Sequence, residues 1–144
     1  MTRLLRPLAV VLLCLLAAQF LLGMVANFYA RLPETPPGLP GNFDARLGAA
    51  ARWALLHGPP VLKLHVSVGL AIGACAIAHA VLALRSRERS WRLFALLGLF
   101  TAAPAGLAGA AFLAYRQDDG YSLLMSIGFL GALFSYWTGL YLTR

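Results

Sequence analysis

Residues 60–84 read PVLKLHVSVGLAIGACAIAHAVLAL. Lys63 carries the only formal charge in this run. A hydrocarbon core about 30 Å thick is crossed by about 20 apolar residues at a rise of about 1.5 Å each, so the segment reads as a spanning helix. Pro59 and Pro60 suit its first turn, where a backbone N–H has no partner to lose. Working outward, three further runs have the same character: residues 8–30, 93–115 and 121–142. Four such spans leave room in 144 residues for one loop, 31–59, and short connectors. The expected architecture is an all-α integral membrane protein. It is a four-helix transmembrane bundle in one membrane domain, 1–144, with a short extracytoplasmic amphipathic helix between spans 1 and 2.

Composition agrees with this reading. The chain is 60% hydrophobic and 12% charged, with a mean hydropathy of +0.75; a soluble domain runs nearer one quarter charged. An ordinary soluble enzyme, a disordered chain and a large extramembrane domain are excluded. The net charge is +7, but the arginines stand at span ends rather than on a face with stacking or groove-reading elements, so nucleic acid is not the expected partner. The partner is the lipid bilayer and its anionic headgroups. Lys63 is the sole lysine, and Ala, Gly, Leu and Arg dominate, which points to a GC-rich bacterial source.

The first run, from Leu8, is longer than a signal-peptide core, and Phe28 fits a cleavage site poorly. It reads as an uncleaved first span. Residues 31–41 hold four prolines and are expected to be extended. From Asn42 to His57, Phe43, Leu47, Ala50, Ala51, Trp53 and Leu56 gather towards one side. A helix there is expected to lie in the headgroup layer, ended by Gly58-Pro59-Pro60. Pro104 is expected to kink the third span. Tyr29, Trp53, Trp91, Tyr115, Tyr121, Trp137 and Tyr141 read as an interfacial belt.

The positive-inside rule sets orientation. Arg3, Arg6, Arg85, Arg87, Arg89, Arg92 and Arg144 fall on one side, on short segments. Arg31, Arg46, Arg52, Lys63 and Arg116 fall on the other, diluted by Glu34, Asp44, Asp118 and Asp119. Both termini are therefore expected in the cytoplasm of a multi-pass protein of the bacterial cytoplasmic (inner) membrane.

Few residues here carry chemistry. Cys14 and Cys75 lie inside apolar runs and read as small buried side chains. His65 and His79 lie within the second span, where an ionisable group is a functional hypothesis. Fourteen residues apart, they share a face and stand about 21 Å apart along the axis. Gly69, Ile72, Gly73, Ala76, Ala80 and Ala83 share or border that face. A planar macrocycle needs such small neighbours beside its axial histidine. The arrangement resembles the haem-carrying helices of membrane b-type cytochromes over this one helix. That resemblance implies haem b with His65 and His79 as iron ligands and Gly69, Gly73 and Ala76 as cofactor contacts. The other spans hold no histidine, so a second ligand would come from Met24, Met125, His57, a second copy or a larger complex. The alternative is that Gly69 and Gly73, with Ala76 and Ala80, form a helix-packing face and that the histidines bond across the bundle.

Gln19, Gly23 and Asn27 line one side of the first span, as amides that bond across helices do. Thr101, Ser126, Ser135 and Thr138 can bond their own helix carbonyls. Gly98, Ala102, Gly106 and Ala110 in the third span, and Gly131, Ser135 and Gly139 in the fourth, recur every four residues as packing faces do. Asp118, Asp119 and His57 are a conceivable metal set, with a solvated turn as the alternative. No catalytic constellation, phosphate loop or mid-membrane acid is present. The leading expectation is a small non-enzymatic subunit or scaffold of a membrane complex, a homo-oligomer or joined to other membrane chains. The alternative is a haem-binding, quinone-linked electron-transfer subunit using His65 and His79.

Overall fold

The computed structural model describes residues 4–143. Arg3 and Arg144, which contributed to the orientation argument, lie outside them. Five helices follow in order: α1 (Leu5–Tyr29), α2 (Phe43–Leu56), α3 (Pro60–Leu84), α4 (Arg89–Ala114) and α5 (Asp119–Leu142). All but α2 are long and apolar enough to span a bilayer. The chain is thus a four-span helical bundle with a short helix between spans 1 and 2, as its hydropathy requires. Contacts run α1–α3–α4–α5 and back to α1, closing a ring. The α4–α5 seam is the tightest and the α1–α5 seam the loosest of the four.

Local sequence explains the helix ends. Pro60 opens α3, and the Pro59 carbonyl accepts from the N–H groups of Leu62 and Lys63. α4 starts at Arg89, four residues before the apolar run, because Ser86 Oγ turns the chain by accepting from the Glu88 N–H at 3.1 Å. The early start carries Trp91 into the core, where it is buried. Trp91 is therefore not part of an interfacial belt. α4 continues through Pro104. It ends at Tyr115, with Arg116 and Gln117 both left-handed at φ near 60°, a region that costs a residue with a Cβ some energy. That turn is held by Gln117 N–H to the Phe112 carbonyl at 2.9 Å and by the Asp118 carboxylate, which accepts from the Gly120 N–H and caps α5.

α2 does not have its apolar side free for the headgroup layer. Leu47, Ala50 and Ala54 pack on Leu62 of α3 and on Ala111, Leu113 and Ala114 of α4. Phe43 stacks on Tyr115 with ring centroids 6.0 Å apart. Arg46 completes the junction: its Nε and Nη2 donate to the Ala114 carbonyl at 3.1 and 3.0 Å, and its guanidinium lies over the Tyr115 ring. A cation on the last carbonyls of a helix meets the negative end of its dipole. The proline-rich segment before α2 is pinned to the same turn through Gln117 Nε2 to the Pro33 carbonyl and Arg116 to Glu34, both 3.0 Å.

Several of the glycines of α4 and α5 are consumed inside the chain. A Cβ added at Gly98 would meet the Tyr136 ring at 2.5 Å. One at Gly128 would meet the Thr101 carbonyl oxygen at 2.6 Å, and one at Gly131 the Thr101 side chain at 2.7 Å. The four-residue repeat in α4 drifts about 40° per step against a 3.6-residue turn. Gly98 therefore faces α5, whereas Gly106, two steps on, is exposed with nothing within 4 Å.

Candidate functional site

α3 turns His65 and His79 towards its neighbours rather than to lipid. The residues of their shared face divide by depth: Ile72, Ala76, Ala80 and Ala83 are buried, while Gly69 and Gly73 are half-buried. The two histidines meet different partners.

His65 lies on the seam between α1 and α3. The Gln19 amide nitrogen donates to its Nε2 at 3.1 Å. Two glycines make room for the pair. A Cβ at Gly23 would approach His65 Cε1 at 3.2 Å, and one at Gly69 would approach Gln19 Nε2 at 3.3 Å. The polar side chain of each helix thus faces a glycine of the other. A polar bond between spanning helices needs this close approach, because unpaired groups in hydrocarbon are costly. Gln19 Oε1 and His65 Nδ1 have no hydrogen-bond partner among the described residues. Asn27, two turns along α1, is exposed. The expected alignment of Gln19, Gly23 and Asn27 thus holds for the first two, while the Asn27 side chain makes no hydrogen bond among the described residues.

His79 sits nearer the other end, at 1% exposure, where all four spans converge. Its ring meets Trp91 of α4 edge-on at 5.6 Å and Tyr136 of α5 at 5.5 Å. Leu5 and Ala9 of α1 belong to the same buried end. Neither nitrogen of His79 makes a hydrogen bond of full geometry among the described residues, although the Leu5 backbone lies within polar reach of the ring, and the Tyr136 hydroxyl has no partner there. Two buried polar side chains side by side with so little hydrogen bonding are unusual in a folded protein.

These surroundings bear on haem. A haem with two protein ligands needs two donors on opposite faces of the ring. Here each histidine stands alone on its level, with one nitrogen of His65 already engaged by Gln19. A macrocycle at His79 would have to displace Trp91 or Tyr136. Met24 is exposed on the outside of α1, and Met125 packs its sulfur against Gly109. Among the described residues, neither methionine is thus placed as a second ligand beside either histidine.

His57 stands at the C-cap of α2, exposed, beside a shallow hollow lined by Pro37, Ala49, Arg52, Trp53 and Leu56. Among the described residues, no three His, Cys, Asp or Glu side chains come together as a metal set, so Asp118, Asp119 and His57 are not assembled into one. Asp118 caps α5 instead. Thr101, Ser126 and Ser135 bond carbonyls three or four residues back on their own helices; Thr138 makes no such bond.

The roles of Arg46, Trp91 and Tyr136 carry no local signal in the sequence. Arg46 acts on a carbonyl 68 positions away, and no local pattern encodes that. No family model, curated protein or solved structure matches the chain.

Proposed function

We propose that the chain is a non-enzymatic subunit of a membrane complex that docks a further spanning helix, from a second copy or another protein, along the outer half of α1. The observation that carries this reading is the burial of α1. Its buried residues are Leu5, Ala9, Leu12 and Leu16, and none follows over the remaining thirteen positions of the helix. Leu21 is 63% and Phe28 69% exposed. Apolar exposure to lipid carries no penalty in itself, since lipid tails are as apolar as leucine. The distinguishing feature is that the uncovered half also holds Asn27, an amide without a partner among the described residues.

Photo-crosslinking in native membranes tests this. A crosslinking residue at Leu21 or Val25 is expected to give discrete protein adducts. The same residue at Leu107 or Ile127, nearly as exposed on α4 and α5 as Leu21 and more so than Val25, is expected to give lipid adducts alone. Lipid adducts from all four positions would overturn the proposal.

The arginine distribution supports an orientation with both termini in the cytoplasm and α2 outside, in a bacterial cytoplasmic membrane. With Cys14 and Cys75 replaced by alanine, Gly41→Cys should react with an impermeant maleimide from outside the cell, and Glu88→Cys only after lysis.

A second reading, haem on His79, has one observation in its favour: neither ring nitrogen makes a hydrogen bond of full geometry among the described residues. It requires Tyr136 or Trp91 to move and a ligand from another chain. A Soret band in purified protein, lost in His79→Ala, would support it. A colourless folded protein after haem-replete expression would remove it.

A further inference from the structure

The looser seam, between α1 and α5, opens at its His79 end into a groove of about 240 Å³ lined by Arg6, Val10, Trp137, Leu140 and Tyr141. α1 begins here and α5 ends here, so the groove is graded in depth. Arg6 and Tyr141 stand at the bundle end. Val10 and Trp137, each four residues further into its helix, lie about 6 Å deeper. Trp137 is 64% exposed into the groove and the surrounding bilayer.

Arg6 makes one hydrogen bond among the described residues, from Nη1 to the Thr143 carbonyl at a long 3.5 Å. A guanidinium has five N–H donors, so most of its capacity remains. Among the described residues no carboxylate answers it: at this end of the bundle Glu88 is the one acidic residue described, on the α3–α4 turn among Arg85, Arg87, Arg89 and Arg92.

We propose that this groove seats a phospholipid with an anionic headgroup, its phosphate on Arg6 and the start of one acyl chain along Val10, Leu140 and Trp137. A cation at the membrane surface above an apolar, aromatic-lined slot matches an amphiphile in both charge and depth. A free anion would gain nothing from the apolar floor. The volume is below the roughly 300–1,000 Å³ of pockets that engulf a whole small molecule, as suits a ligand whose chains remain in the bilayer.

The test uses the full chain in nanodiscs of phosphatidylcholine containing spin-labelled phosphatidylglycerol or spin-labelled phosphatidylcholine. The wild type should immobilise phosphatidylglycerol in preference. Arg6→Gln should lower that preference by roughly fivefold, the factor that one surface cation contributes. Arg87→Gln, equally cationic but away from the groove, should leave it nearly intact. Trp137→Ala should lower immobilisation of both lipids, and helicity by circular dichroism should be unchanged in each variant. Inorganic phosphate should not compete. Equal losses in Arg6→Gln and Arg87→Gln would show diffuse surface charge and overturn the site. Full competition by inorganic phosphate would show a free-anion site and overturn the lipid.

Discussion

The two histidines of α3 share a helix face yet occupy opposite kinds of environment. Around His79 the interior of the bundle is closed, with the α1–α5 groove lying outside it on the bundle surface: four spans converge, Trp91 and Tyr136 flank the ring, and Leu5 and Ala9 of α1 are fully buried. Around His65 the bundle is a two-helix seam, with one hydrogen bond to Gln19 and an α1 that no longer buries any side chain beyond Leu16. The closed end gains its order from shape and the open end from polarity. At the closed end, polar groups tolerate missing partners because packing holds them. At the open end, a glycine faces each polar side chain so that one bond can form. An end that its own chain leaves partly uncovered is where another chain has room to act.

Truncating an aromatic at each end should break this contrast most sharply. Tyr136→Ala empties a site lined by His79 and Gly98 and is expected to cost about 3 kcal/mol, typical of a buried aromatic. Phe20→Ala at the open end removes a stacked contact with Phe129 at 5.7 Å and little else, for about 1 kcal/mol or less. Unfolding in mixed micelles measures both. Equal costs would mean that the open end is as well packed as the closed one.

Arg46 tests whether the cap over the open end is built separately. Its two bonds to the Ala114 carbonyl hold α2 on the end of α4. Arg46→Gln should cost about 1 kcal/mol, in the range for a half-exposed charged hydrogen bond, and should speed hydrogen exchange in α2 and at the α4 end. Exchange near His79 should not change. A uniform rise through the bundle would show instead that the cap supports the whole fold.

Most of the architecture was legible because a membrane span is a local property: a run of about 20 apolar residues needs no knowledge of its neighbours. The inward face of α3 was legible too, since His65, Gly69, Ile72, Gly73, Ala76 and His79 follow helical spacing. Other features depend on distant parts of the chain. Trp91 lies at the edge of an apolar run, where belt and core tryptophans look alike in sequence; only the early start of α4 decides between them. The role of Arg46 could not be read locally because its acceptor lies on α4, 68 positions away. The glycine repeats were readable as packing faces, but whether they serve this chain or a partner depends on how α4 and α5 pair, and that pairing uses up Gly98, Gly128 and Gly131.

The histidines themselves give the smallest and most discriminating effect. His65→Leu removes the acceptor of the Gln19 amide and leaves that amide unpaired on the seam. A bond of this kind between spanning helices is worth about 0.6 kcal/mol, so a loss near that size is expected, and Gln19→Leu together with His65→Leu should recover part of it. His79→Leu removes two nitrogens whose one polar neighbour, the Leu5 backbone, falls short of a full hydrogen bond, and replaces the ring with a side chain of similar bulk. The desolvation cost of those groups then disappears, and the variant is expected to be as stable as the wild type or more so. Tyr136→Phe should behave in the same way. A double-mutant cycle on each pair, His65 with Gln19 and His79 with Tyr136, separates the two cases. Coupling is expected at the open end and none at the closed end. Strong coupling between His79 and Tyr136 would mean that the closed end holds a polar interaction after all, such as a trapped water bonded to both groups, and that the contrast between the two ends is one of depth rather than of kind.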